Sequence, residues 1–351
     1  MSTIDDLLKT VVEKKASDLL IVAGSAPILR INGVLYPADS AKLSADESKA
    51  IIYGLLNKEQ ISSFESTREF DSSYELKGFA RFRVNVHYQK GTVAAALRLI
   101  PADIPRLEDL RLPKIVADLA SLERGLVLVT GPTGSGKTTT QACMVDIINN
   151  NRNRHIITIE DPIEYLHENK KCIIEQREVG IDTDSFNAAL KRVLRQNPDV
   201  ILVGEMRDLE TIQTALTAAE TGHLVISTLH TNDAVQSIDR IIDVFPPYQQ
   251  SQIRLQLSLS LQGIIAQQLI PKIDKKGLVV AVEILIATTA VRNLIRKASS
   301  QEIYSMLEIG SKFGMQGMDR SIKILYQNKQ ISYEDALAHA IDQEHFEKTL
   351  S

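Results

Sequence analysis

The ten residues GPTGSGKTTT, 131–140, constrain this chain more than any other stretch. They fit the pattern G-x-x-x-x-G-K-[ST], follow the apolar run LVLVT at 126–130, and lead into the helix-like stretch TTTQACMVDIINN. A strand that feeds such a loop and then a helix leaves backbone N–H groups free to curl around phosphate oxygens, because glycine has no Cβ to block the approach. Gly131, Pro132, Thr133, Gly134, Ser135, Gly136 and Thr139 line this cradle. In it Lys137 reaches the β and γ oxygens of a nucleoside triphosphate, and the Thr138 hydroxyl is a ligand for Mg²⁺. The flanking strand and helix separate this reading from a glycine-rich turn that matches by chance.

The chain beyond the cradle alternates strands with helices. Apolar runs at 126–130, 155–159, 199–204 and 223–228 are separated by helical stretches such as SFNAALKRVLRQ and DLETIQTALTAAETG, which predicts a parallel sheet covered on both faces. Ligands of such open α/β sheets bind at the carboxyl ends of the strands. Two of the strands end in acids. In VILVGEMRD, Glu205 follows four apolar residues and takes the position of an acid that holds the Mg²⁺ shell through water. In ITIEDPIEYLH, 157–167, Glu160, Asp161 and Glu164 follow the apolar run, and Pro162 stops the strand from continuing. Acids there also favour a helix dipole, and spacing alone does not rank the three.

The amino-terminal third has a different pattern. Ile4, Leu7, Leu8, Val11 and Val12 recur at helical spacing, strands are predicted near 19–22 and 28–31 with an Asn32-Gly33 turn, and Ser44 to Glu47 is a capping box before another helix. In FARFRVNVHY, Phe82, Val84, Val86 and Tyr88 alternate with Arg81, Arg83, Asn85 and His87, while Leu97 and Leu99 flank Arg98. One sheet face is thus apolar and the other carries arginines, either merely solvated or facing phosphate oxygens, which planar guanidinium groups bind well. The stretch 101–113 has three prolines and no period, and reads as a linker between a domain at 1–100 and one at 114–351. A hairpin around 274–277 and several helices complete the chain, with Met315 and Met318 read as core residues.

Composition excludes several classes. With 351 residues, 44% hydrophobic, the chain has material for two cores. A net charge of -4, no Trp and 5% aromatics argue against nucleic acid as a partner, and so against a DNA-handling motor. No run approaches the ~18 apolar residues of a membrane span, and the start MSTIDDLLKT lacks the basic-then-apolar order of a signal peptide, so a cytoplasmic address is expected. Cys143 and Cys172 have no metal-site spacing.

The segments GPTGSGKTTT (131–140), ITIEDPIEY (157–165), LVGEMRDLETI (202–212) and TAAETGHLVISTLHT (217–231), with AVRNLIR (290–296), together resemble the secretion ATPase superfamily, and within it the retraction ATPases of type IV pili that drive twitching motility. The resemblance covers nearly the whole chain. It implies a small PAS-like α+β N-terminal domain, a RecA-like P-loop domain with C-terminal helices, and a homohexamer that hydrolyses ATP with Mg²⁺. The implied partner is an inner-membrane platform protein, with the ring peripheral to the pilus machine at the inner face of the inner membrane. It also implies that Glu164 polarises the attacking water, that Arg83 and Arg98 act as arginine fingers on the γ-phosphate, and that His223 and His230 belong to a nucleotide-responsive histidine segment. Read without the resemblance, His230 ends a strand beside the cradle, whereas His223 opens it and equally suits a structural role. The missing Cys-x-x-Cys pairs and long N-terminal extension favour retraction over pilus extension or type II secretion. The non-enzyme alternative, an accessory nucleotide-binding ring, conflicts with intact Lys137, Glu164 and Glu205.

Overall fold

In the computed structural model the described residues are 3–31, 33–38, 41–101 and 103–350, so Asn32 of the expected turn lies outside them. The chain divides into two compact units, Met1–Asp103 with Pro162–Leu166, and Ile104–Asp161 with His167–Ser351.

The first unit is built on a six-stranded sheet in which every neighbouring pair is antiparallel. Its helices start where sequence and chemistry favour it: the Ser44 hydroxyl accepts from the Glu47 N–H at 3.2 Å while the Glu47 carboxylate accepts from the Ser44 N–H at 2.7 Å, which satisfies two end-of-helix donors at once. Helices Ile4–Glu13, Ala45–Tyr53 and Lys58–Thr67 contribute Leu8, Ile52 and Phe64 to one core with Phe82, Val84, Val86 and Leu97. Tyr88, expected on the apolar face, is 39% exposed and stacks on Phe64 with ring centroids 4.9 Å apart. The opposite face carries one continuous cross-strand row, Leu35, Arg30, Asp18, Arg98, Arg83 and Ser73, spanning all six strands.

The second unit has a seven-stranded sheet in the order Leu278–Ile286, Leu261–Pro271, Gly125–Thr130, Leu224–Leu229, Val200–Val203, His155–Glu160, Ile173–Glu178. All neighbours are parallel except the first pair, the expected hairpin. Strand side chains point alternately to two cores. Leu126, Leu128, Ile157, Ile159, Ile201 and Val203 pack with helices Leu209–Glu220 and Ala234–Asp243, whereas Val127, Val129, Ile156, Val200 and Leu202 pack with helix Lys137–Asn151. Burial on both faces is why these strands read as continuous apolar runs. Truncating one of them, as in Leu128→Ala, costs about 2–5 kcal/mol. Strand Ile173–Glu178 escaped sequence reading because IIEQRE has no apolar run and lies at the sheet's edge.

Leu107, Leu110 and Leu112 of the proline-rich stretch also pack against the core of the second unit, so this stretch is not free along its length. Met315 and Met318 are buried, as their composition suggests.

Candidate active site

The cradle forms where strand Gly125–Thr130 ends and helix Lys137–Asn151 begins. At Gly131, φ is 141°, and a Cβ there would lie 2.3 Å from the Gln267 carbonyl oxygen and 2.5 Å from Ser135 Oγ. No residue larger than glycine fits this crossing of two backbones. Gly136, at φ 87°, starts the helix, and no side chain caps its first N–H groups. Lys137 is buried, and its ammonium donates to the carbonyls of Gly131 at 2.8 Å and Pro132 at 3.0 Å, which curls the loop around a positive charge. Ser135 Oγ is buried without a hydrogen-bond partner. Leaving such a hydroxyl unpaired costs about 1–3 kcal/mol, which an anionic oxygen in the loop offsets. Pro132, Thr133 and Gly134 are exposed at the tip, and Thr138 and Thr139 are half-buried in the first helical turn.

Because strands His155–Glu160, Val200–Val203 and Leu224–Leu229 run parallel to Gly125–Thr130, their carboxyl ends share the cradle's edge of the sheet. Glu205 lies just past Val203. Its Oε1 accepts from Arg207 Nε at 2.6 Å and from His230 Nε2 at 3.1 Å, in the tautomer with hydrogen on Nε2. Burial pushes the Glu205 carboxyl up, but the hydrogen bonds from Arg207 and His230 together outweigh it and hold the group below the usual glutamate range. Glu205 is therefore an oriented anion. Neighbouring strand ends are stitched by Thr228 Oγ1 donating to the Gly204 carbonyl at 2.6 Å and Ser227 Oγ donating to Val203 at 2.8 Å. Glu160 is buried, and its Oε1 accepts from Thr158 Oγ1 at 2.6 Å and Gln176 Nε2 at 3.1 Å.

The predicted residues thus fall into groups. The cradle residues, Glu160, Glu205 and His230 belong to the second unit at one sheet edge. Glu164 lies in Pro162–Leu166, which groups with the first unit, as do Arg83 and Arg98. There Arg83 and Arg98 are direct cross-strand neighbours, and Arg98 Nε donates to Asp18 Oδ1 at 2.9 Å. His223 stands apart from these residues. It precedes strand Leu224–Leu229, its Nδ1 meets the Ala218 carbonyl at 3.0 Å, and its carbonyl accepts from Gly125, the first residue of the strand that ends in the cradle. A six-residue strand spans about 20 Å, so His223 lies at the opposite sheet edge from its own cradle and does not line it. Sequence reading passed over Arg207, although it stands in the quoted LVGEMRD, because an ion pair across two residues leaves no periodic trace.

Among the described residues no group of three or more His, Cys, Asp or Glu side chains could hold a metal. A metal at this edge must draw most of its ligands from phosphate and water. Mg²⁺, which keeps its waters and takes one or two protein oxygens, would fit such a site, with Thr138 Oγ1 and, through water, Glu205 as the donors available to it.

Residues 82–333 match the family model described as "Type II/IV secretion system protein". The chain is 47% identical to the Pseudomonas aeruginosa type IV pilus retraction ATPase PilT, over 98% of this chain and 99% of that protein. It is 45% identical to the type IV pilus ATPase PilU of the same organism, over 96% of this chain and 88% of that one. A crystal structure of the pilus retraction motor PilT with bound ADP superposes with a TM-score of 0.93 at 48% identity, covering 99% of this chain and all of that one.

Proposed function

The chain belongs to the type II/IV secretion system protein family, and on that premise we propose that it is an ATP-hydrolysing motor that powers retraction of type IV pili. The observation that carries this reading is the gathering of Lys137, Glu160, Glu205 and His230 at one edge of a parallel sheet, in a chain aligned end to end with a retraction ATPase. The reaction is ATP + H₂O to ADP and phosphate. Backbone N–H groups of 131–138 and the Lys137 ammonium hold the β- and γ-phosphates, where fixed donors stabilise charge that builds in the transition state. A bound Mg²⁺, which Thr138 and, through water, Glu205 would hold, would supply further charge neutralisation. Arg207 and His230 hold the Glu205 carboxylate in one orientation, from which it would meet the water shell of a bound metal. Glu164 polarises the water whose oxygen attacks the γ-phosphorus; the bond to the β,γ-bridging oxygen breaks and its electron pair stays with ADP. Arg83 and Arg98 meet the γ-phosphate.

The working form is a homohexamer at the inner face of the inner membrane, coupled to a platform protein, with the stretch at 101–113 acting as the hinge through which domain closure is passed on. Among the described residues no helix is long and apolar enough to cross a membrane. Deleting the gene and counting surface pili tests the role: excess pili with lost twitching are expected, and bald cells would overturn retraction. The similarity to the type IV pilus ATPase PilU leaves room for a second reading, an accessory copy of the motor, for which deletion is expected to leave pilus number unchanged.

A further inference from the structure

Glu283 is a carboxylate placed in an apolar strand, LVVAVEILI, and is 2% exposed. Its position is set by sheet register. Glu283 pairs with Ala266, Ala266 with Thr130, and Thr130 with Leu229, so the acid sits two strands away, in the same cross-strand row, from the last residue before the phosphate cradle. Residues aligned across a sheet share a face. Helix Ala234–Asp243 lies along that row. Its first N–H, at Ala234, donates to Glu283 Oε1 at 2.8 Å, and one turn later Ser237 Oγ stands 3.4 Å from Thr130 Oγ1 and 2.6 Å from Thr231 Oγ1. The short link between this helix and strand Leu224–Leu229 carries His230, which bonds Glu205.

We propose that Glu283 is a positioning residue for ATP hydrolysis: by holding the start of helix Ala234–Asp243 it fixes the 230–233 link, and with it His230 on Glu205 and Ser237 against the cradle strand. The inference rests on the reading of this edge as the ATPase centre. The groups facing Glu283 also make the clamp responsive to pH. Burial is the main influence, followed by the hydrogen bond from Ala234, the nearby charge of Asp233, the Met318 N–H and the charge of Asp319, and together these push Glu283 up to about 7. Tyr304, from helix Ile303–Ile309, bonds Asp233 and is itself pushed up to about 12 by burial and these acids. Asp239, on the same helix as Ser237, accepts from Ser300 Oγ at 2.6 Å. An ionised carboxylate accepts an N–H more strongly than a neutral one, so the clamp tightens as pH rises through the neutral range.

The test is steady-state ATP hydrolysis by the full-length chain, with Glu283→Gln and Glu283→Ala beside the parent between pH 6 and 8.5. Glu283→Ala removes the acceptor and is expected to lower kcat on the order of tenfold while KM for ATP stays within about twofold, since the cradle itself is untouched. Glu283→Gln keeps the shape and a neutral acceptor. It is expected to restore most of kcat at pH 6 and to fall progressively below the parent above pH 7. Parent-like kcat in Glu283→Ala, or a Glu283→Gln profile that superposes on the parent's, overturns the proposal; if Glu283→Ala does not fold, the Glu283→Gln profile decides alone. A parent chain that hydrolyses no ATP at any pH instead defeats the functional reading beneath it.

Discussion

In the second unit the strands Gly125–Thr130, His155–Glu160, Val200–Val203 and Leu224–Leu229 all run the same way, so whatever follows each of them arrives at one edge. In the first unit every neighbour runs oppositely, and consecutive strands deliver their ends to alternate edges. The counterpart there is a face, the row Arg30, Asp18, Arg98, Arg83, whose members are 12 to 80 positions apart in sequence yet sit side by side. A parallel sheet converts motif order into site geometry. An antiparallel sheet converts register into site geometry, and register depends on turns and pairing that no single motif states.

The sharpest way to break this comparison is at the arginine row. If Arg83 and Arg98 meet the γ-phosphate, Arg83→Ala or Arg98→Ala lowers turnover by about 10³, the usual worth of an arginine finger. Turnover near the parent's would leave the first unit with a solvated row, and the second unit as the sole seat of chemistry. Next in size, Glu205→Ala is expected to lower kcat by roughly 10² while ATP binding persists, because one oriented acid is lost and the cradle is kept. Loss of nucleotide affinity in proportion to kcat would contradict that division of labour.

Glycine separates the cradle's edge from its tip. Gly131→Ala forces a methyl onto the Gln267 carbonyl and is expected to destabilise by about 1–3 kcal/mol, with loss of ATP binding. Gly134→Ala, with open space around it but φ at 81°, costs about 1 kcal/mol. Thermal melts with and without nucleotide check both. The second unit also carries a pH signature that the row in the first unit does not require. Glu283 is raised from 4.5 to about 7, so the stability it contributes is full below pH 4.5 and is lost as pH rises through 7. The Tm of the parent is expected to fall between about pH 4.5 and 7 relative to Glu283→Gln, and to level off above that. The smallest effect is at Asp18. Asp18→Ala frees Arg98, whose side chain is 73% exposed, at a stability cost under about 1 kcal/mol, because an exposed ion pair is worth little.

What was legible in the sequence follows from the same contrast. The cradle, Glu205 and Glu160 could be placed from the residues because apolar runs mark buried parallel strands and the acids follow them directly. Arg83 and Arg98 could be assigned to one face by alternation, but their adjacency, and the Asp18 carboxylate beside them, required the pairing. His223 and His230 share one motif but bracket a strand, so the sequence already set them at its two ends, and of the two open readings of His223 the hydrogen bond to the Ala218 carbonyl supports the structural one. Arg207 and Glu283 left different traces: the first has none, while the second is a lone acid in an apolar strand, a signal visible in LVVAVEILI and passed over.

The contact at Gly131 sets unequal freedoms on its two partners. What presses on residue 131 is the main-chain oxygen of residue 267, which every amino acid possesses. A library randomised at both positions should therefore return glycine almost exclusively at 131, whereas at 267 the contact itself selects no side chain and only burial, at 1% exposure, restricts the choice. The contact is in this sense written into the side chain on one side alone, and on the other into a main-chain atom that no substitution can remove.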